Sequence, residues 1–425
     1  MTYRQSIEAL RDLGLHSMIV SRNGETAAEV AVAPYSPDTP HTLNSLTKSF
    51  SSTAIGFCVQ EGLLTLNDRV ASFFPERLPR RPCESMETMT VRHLLTMATG
   101  HTTEPYFWPE EKDPADTFLR SYVASEPGSG FLYNTAGSHM LSYIVEKVTG
   151  NSMEEYLKPR LLEPLGITDY IWESHPDGVR KGGVGLHVSC RDILKFGHFL
   201  LAEGSYGGKR LLNAAWIKEA TRAHIIQPGD PGSDWTSGYG YQFWRNSRED
   251  SYRADGAFGQ FCIVVPRRGL VISCNAGTTD MGAMLNVLFD HLIPALDGEV
   301  PASSALVAPL PEGISRFPEK SYRLSPNGLD IRKVAFRGGT VVMAIGGHEY
   351  CCAVGHGEWK LTHFAADVPE EFRSVAVASG VCGDGAPLLR FCHTRTPFVV
   401  DFRLRFGADS LLIDCKANVG FNNEL

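Results

Sequence analysis

Apolar positions along the first 300 residues change period several times, and each change marks an element. Residues 17–21 (SMIVS) form a short apolar run, the dipeptide Asn23-Gly24 follows, and residues 27–32 resume the run, which predicts a hairpin. Phe50, Ala54 and Cys58 then recur at steps of four, predicting a helix that ends near Gly62. Helices are also expected over 89–97, 137–148, 152–162 and 192–201; in the last, Ile193, Phe196, Gly197 and Leu200 share a face. Strand signals return at 239–244, 258–265 and 270–274, split by turns such as Pro266-Arg267-Arg268-Gly269, and an amphipathic helix over 281–296 follows. Strands at both ends with helices between predict an α+β fold. Its mixed antiparallel sheet pairs the two ends of the segment, and a helical subdomain is inserted between them.

The pattern changes after residue 298. Residues 299–318 carry Pro301, Pro309, Pro311 and Pro318 among small side chains and read as a linker. Short strand candidates fill 319–425, among them 341–345, 374–378, 388–393, 398–406 and 411–416. Phe398, Val400, Phe402, Leu404 and Phe406 alternate with period two, as a half-buried strand requires. The expected organisation is a first domain over 1–298, a linker, and a C-terminal all-β domain, sandwich or barrel-like, over 319–425.

Charge and cysteine usage narrow the function classes. The net charge is −8 and hydrophobic residues make up 43%, so a large core is available and no basic stripe suggests a nucleic-acid partner. No stretch has the length of a membrane-spanning helix, and the opening MTYRQSIEALRDLGL has no continuous apolar segment of the export type. The ten cysteines are scattered without a CxxC pair, which fits free thiols in a reducing compartment and not a zinc site. A cytoplasmic protein is expected. His93, His187 and His198 read as structural; none pairs with Cys or Asp at ligand spacing, so neither a metal nor another cofactor is expected.

The candidate chemistry starts at Ser45-Leu46-Thr47-Lys48. Three positions apart at a helix start, Ser45 and Lys48 lie on one face, where the amine can ease loss of the hydroxyl proton or accept it. A chain of this size holds about one or two such tetrapeptides by chance, so the spacing needs partners. Two segments offer them. Tyr133-Asn134-Thr135 precedes a helix and can present a phenol and an amide to a cleft; a phenolate beside a lysine is a possible base, and the same segment suits a packed Tyr with Asn as helix cap. Asp255-Gly256-Ala257-Phe258-Gly259 precedes an apolar strand, where a backbone N–H can meet an oxyanion; it equally suits a plain turn or bulge. Tyr241 and Trp244, in GYGYQFW, fit a pocket wall or the core equally well. Residues 104–108 (EPYFW) fit either a lid or a packed loop.

SLTKSF, YNT and ADGAFGQF, in this order and with intervening text such as MTVRHLLTMATGH and GGVGLHVSCRDILKFGHFLL, resemble the serine β-lactamase and penicillin-binding protein superfamily. The branch is that of class C β-lactamases, family VIII-type esterases, D-aminopeptidases and 6-aminohexanoate-dimer hydrolases. The resemblance covers about residues 10–296. It implies a β-lactamase/transpeptidase-like fold, an antiparallel sheet flanked by helices, with Ser45 as nucleophile and Lys48 and Tyr133 sharing the base role. It implies the Ser45 and Ala257 N–H groups as the oxyanion pair, and Asn134, Thr135, Asp255 and Gly256 at the substrate. Some members carry appended β-barrel domains.

Two departures bear on substrate. Thr135 stands where class C enzymes have Asn, and Ala254 stands where the family has Lys or His for a substrate carboxylate; Asp255 beside it would repel one. Arg253 is the nearest cation, on a strand where neighbours face opposite ways. The expected activity is therefore hydrolysis of a carboxylic ester or small amide through an acyl-enzyme. A β-lactamase, a D-amino-acid-specific peptidase and a non-catalytic binding module are the rivals. The expected partner is a small-molecule ester, amide or lactam, with no nucleic acid and no membrane; covering the site and pairing two copies as a homodimer are roles open to the β domain.

Overall fold

The computed structural model describes residues 1–105, 113–298, 300–365 and 368–421. Met18–Ala28 with Thr42–Cys274 forms one compact unit; Met1–Ser17, Glu29–His41 and Asn275–Leu425 form the other. The expected hairpin is present as β1 (Leu15–Arg22) and β2 (Glu25–Ala33). Four late strands, β3 (Trp244–Arg245), β4 (Tyr252–Gly256), β5 (Gln260–Val265) and β6 (Leu270–Ala276), join it, with β7 (Ser303–Val307) at one edge. The order is β7-β2-β1-β6-β5-β4-β3. β3 to β6 are antiparallel neighbours, whereas β7 runs parallel to β2, so the sheet is mixed as the element order predicts. β7 lies within the stretch read as a linker. Of the strand expected over 239–244, only Trp244 enters the sheet as a strand residue; Tyr239 makes isolated bridges to Ile225 and Trp244.

Three helices position the site: α1 (Thr47–Gln60), α2 (Thr135–Thr149) and α3 (Cys190–Leu201). α2 starts on the Asn134 cap and stops at Gly150 in the left-handed conformation, as capping chemistry expects. α1 is unusual in being buried on every side from Thr47 to Cys58. A helix polar on one face and apolar on the other lies at a surface; one buried all round is the centre of a core. Phe50 of α1 stacks on Phe196 of α3 with ring centroids 4.1 Å apart. α3 in turn lies against β5 and β6 at Gly197, where an added Cβ would come 2.3 Å from Val271 Cγ1 and 3.0 Å from Cys262 Sγ. The glycine that the apolar period places on the buried face is there so that helix and sheet can touch.

The C-terminal part is all-β, as expected, but no closed barrel is found among the described residues. Ser321–Arg323, Ile331–Arg337, Thr340–Ile345 and His348–Ala353 form a four-stranded antiparallel sheet in chain order. A second, six-stranded sheet runs from Gly355–His356 through Ser374–Val381, Pro387–His393 and Val399–Phe406 to Leu411–Ala417, with Lys360–His363 also paired to Ser374–Val381. The two sheets share one apolar cluster, which includes Phe336, Val341 and Tyr350 from the first and Val377, Leu389, Phe402 and Leu404 from the second. The period-two stripe predicted over 398–406 supplies the last two. All ten cysteines are free, as their scattered spacing predicts. No helix among the described residues is long and apolar enough to cross a membrane.

Filling the contact at Gly197 overpacks a full interior. Gly197→Val is expected to lower unfolding free energy by about 1–3 kcal/mol, read as a lower urea midpoint at unchanged slope.

Candidate active site

The turn that carries Ser45 is shaped by its backbone. Asn44 takes a positive φ of 48°, and Asn44–Leu46 form a single 3₁₀ turn that runs directly into α1. Ser45 keeps part of its surface open while Lys48, one turn later, is 1% exposed. Lys48 Nζ lies 2.9 Å from Ser45 Oγ, 2.8 Å from the Gly183 carbonyl and 3.4 Å from Thr135 Oγ1. The Gly183 carbonyl can only accept. A neutral amine giving its two N–H bonds to Gly183 and Thr135 turns its lone pair toward the Ser45 hydroxyl. Burial lowers the Lys48 pKa to about 7, against the opposing charges of Glu104 and Asp255. The start of α1 adds the positive end of a helix dipole at the same place.

Tyr133 lies beside this pair. Lys48 Nζ is 5.0 Å from its ring centroid, and the ring lies parallel to Trp244 at 5.9 Å. The sequence reading allows a phenolate here. Burial moves the phenol the other way: it raises the pKa, and Asp255 and Glu104 push in the same direction, while the hydrogen bond with Ser45 pulls it down. At neutral pH the group that can give up its proton is the Lys48 ammonium, and the Tyr133 hydroxyl stays protonated.

β4 closes on the nucleophile turn at its last residue. A Cβ on Gly256 would lie 2.0 Å from the Leu43 carbonyl oxygen and 3.1 Å from Leu46 N, so only glycine permits the approach. Ala257 is then pinned by its carbonyl, which accepts from Asn44 Nδ2 at 3.0 Å and Gln260 Nε2 at 3.2 Å. Ala254 is fully buried. Arg253 and Asp255, two apart on the same strand face, pair at 2.7 Å with both side chains buried. The guanidinium also donates to Asn246 Oδ1 at 2.6 Å and sits over the Trp235 ring at 4.9 Å. Burial raises the Asp255 pKa and Arg253 opposes that rise. Arg253 Nε and Nη1 are taken by these neighbours, and its buried Nη2 has no hydrogen-bond partner among the described residues.

The remaining expected residues divide. Thr135 and Trp244 stand at the site, against Lys48 and Tyr133. Asn134 is fully buried; its Oδ1 caps α2 at the Gly137 N–H and its Nδ2 donates to Thr99 Oγ1. Tyr241 packs away from Ser45, stacked on His224 at 4.2 Å with its hydroxyl accepting from Arg92. His93, His187 and His198 are held by the Thr90 N–H, Glu173 and Ser21 respectively. Of the loop over 104–108, residues 106–108 lie outside the described residues; Glu104 accepts from the Ala136 N–H at the start of α2. Sequence reasoning passed over Gly183, whose carbonyl binds Lys48, and Gln242. Gln242 accepts from Ser49 and Ser138 and donates to the Leu94 and Leu95 carbonyls, tying α1 and α2 to one loop. The run Gly182-Gly183 and the polar Gln242 inside an aromatic run were the available signals.

A family model described as Beta-lactamase matches residues 4–281. Among curated relatives, a 6-aminohexanoate-dimer hydrolase from Paenarthrobacter ureafaciens is 25% identical over 293 residues, 62% of this chain and 73% of that protein. A lovastatin esterase from Penicillium rubens is 29% identical over 158 residues, 30% of this chain and 38% of that protein. Among solved structures, the octameric penicillin-binding protein homologue from Pyrococcus abyssi aligns with a TM-score of 0.57 at 20% identity, covering 97% of this chain and 99% of that one.

The Lys48 pKa makes two outcomes measurable. Labelling of Ser45 by a fluorophosphonate is expected to rise about tenfold per pH unit below about 7 and to level off above it; Lys48→Met is expected to remove that rise. Because the folded pKa lies below the unfolded one, the burial penalty is full below pH 7 and fades as pH climbs toward the ordinary lysine value. The urea midpoint of Lys48→Met should therefore exceed that of the parent most at pH 6 and least at pH 10.

Proposed function

The chain belongs to the Beta-lactamase family, and on that premise we propose that it is a serine hydrolase acting on carboxylic esters or small amides through an acyl-enzyme at Ser45. The observation that carries the reading is the 2.9 Å contact between Lys48 Nζ and Ser45 Oγ, made by an amine whose pKa lies at about 7. Ser45 Oγ attacks the carbonyl carbon as its proton passes to Lys48 Nζ. The Ser45 and Ala257 N–H groups take the oxyanion. The tetrahedral intermediate collapses, the leaving group departs with a proton drawn from the Lys48 ammonium, and the Tyr133 hydroxyl bridges that transfer as a neutral donor. Water then attacks the acyl-enzyme by the same route in reverse.

Substrate preference follows from β4. Ala254 offers no cation, and Arg253 is fully buried, paired with Asp255 and bonded to Asn246 with only Nη2 unpartnered among the described residues, so this strand holds no exposed cation for a substrate carboxylate. Trp244, stacked on Tyr133, supplies an apolar wall for a neutral acyl or leaving group. A 6-aminohexanoate-dimer hydrolase and a lovastatin esterase among the relatives support hydrolysis as the reaction. Residues 1–298 carry this chemistry in our reading, 299–318 link by way of the edge strand β7, and 319–425 form the β domain.

A panel of p-nitrophenyl esters, D-amino acid amides and nitrocefin tests the proposal. Ester or amide kcat/KM is expected at least about tenfold above nitrocefin, with Ser45→Ala lower by about 10³ or more. Nitrocefin turnover far above every ester and amide would replace the reading with a β-lactamase. Wild-type protein that labels no better than Ser45→Ala would replace it with a binding module.

A further inference from the structure

Lys48 is held by a backbone carbonyl, and that carbonyl belongs to a glycine. Gly182 and Gly183 have no side chain to anchor them and have wide torsional freedom, yet the position of the Gly183 oxygen decides where the amine sits. The peptide unit between them is clamped at both ends. Its oxygen, Gly182 O, accepts from Ser51 Oγ of α1 at 2.6 Å. Its nitrogen, Gly183 N, donates to His139 Nδ1 of α2 at 3.1 Å. With that plane fixed by two helices, the next carbonyl, Gly183 O, points at Lys48 Nζ from 2.8 Å.

We propose that His139 is a positioning residue for the base: its Nδ1 fixes the Gly182-Gly183 peptide, and through it the Lys48 amine against Ser45. This rests on the reading of Lys48 as the base. His139 does not reach the reacting atoms and is not itself catalytic.

The role demands one state of the imidazole. Nδ1 must be bare to accept the Gly183 N–H, so the proton sits on Nε2 and the ring is neutral. A protonated ring would present N–H at both nitrogens and break the clamp. His139 is fully buried, and its pKa is held well below the ordinary histidine value by burial, then by His175, whose ring centroid is 4.4 Å away, and by the cations Lys48 and Lys181. The clamp thus persists across the range in which Lys48 itself titrates.

The consequence for the base has a definite sign. A carbonyl that accepts from the amine favours the ammonium form. Losing it should lower the Lys48 pKa further while freeing the amine to wander from Ser45. His139→Leu removes the acceptor, and His139→Asn returns an oxygen near the place of Nδ1. The experiment is single-turnover acylation of Ser45 by a fluorophosphonate and by p-nitrophenyl butyrate, as a function of pH, with the fraction of active protein titrated in each variant.

For His139→Leu we expect a plateau acylation rate about 10–100-fold lower, a midpoint displaced below that of the parent, and an unchanged ester KM; His139→Asn recovers most of the rate and the parental midpoint. Ser51→Ala, which loosens the other end of the same peptide, gives a smaller change in the same direction. A His139→Leu variant with parental rate and midpoint overturns the proposal. So does one whose rate per active molecule is normal and whose active fraction alone has dropped, because that is a folding defect. The underlying reading fails separately: Lys48→Met with near-parental acylation would show that Lys48 is not the base, whatever His139 does.

Discussion

An amine taken out of water governs the architecture around it. Lys48 sits inside a helix buried on all sides, and the charged form of a lysine in such a place is strongly disfavoured. The protein answers with directed contacts and not with a carboxylate partner: the Gly183 carbonyl, Thr135 and Ser45 surround Nζ, while Glu104 and Asp255 act only as more distant charges. A directly paired carboxylate would have kept the ammonium and removed the base. On the proposed reading, the penalty of burying the group is what lets it act as a base near neutral pH.

The same logic sets the neighbouring strand. Arg253 and Asp255 neutralise each other beneath the aromatic wall of Trp235 and Trp244, so a strand that reads as charged in sequence presents little net charge to the site. Read as a string, Asp255 is a carboxylate that repels a carboxylate. In the fold it is one half of a buried pair with its partner two residues away on the same face. In the proposed reading, disfavour of an anionic substrate comes from the absence of an exposed cation on this strand and not from repulsion by Asp255.

Much of this was legible in the chain. The period-four pattern gave α1 and α3, the Asn-Gly turn gave the first hairpin, and the position of late strands gave a sheet shared by early and late segments. The Ser45, Lys48, Tyr133 and Gly256 segments do converge. What stayed hidden has common causes. A backbone carbonyl is supplied by every residue, so nothing in Gly183 announces that it binds the amine. Burial has no letter in the sequence, so the string allows a Tyr133 phenolate beside Lys48 where desolvation raises the phenol pKa. Tyr241 and Trp244 belong to one aromatic run, yet Tyr241 packs in the large core and Trp244 in the small cluster beside Tyr133, with Gln242 between them at a positive φ that the sequence does not announce. The C-terminal strands could be counted, yet two sheets sharing a core and a closed barrel impose the same alternation along each strand.

Gln242 ties the loop before β3 to α1 through Ser49, to α2 through Ser138 and to the Leu94 and Leu95 carbonyls, and α1 is buried on every side from Thr47 to Cys58. On the proposed reading, the nucleophile and the hydrophobic core are therefore one physical unit. Change in the reaction itself must then pass through substitutions that also threaten folding, and Ala254 shares that constraint because it is buried in the same core as α1, whereas Trp244 packs in a separate small cluster with Met97 and Tyr239. Such a chain can change what it accepts at Trp244 more readily than it can change its chemistry.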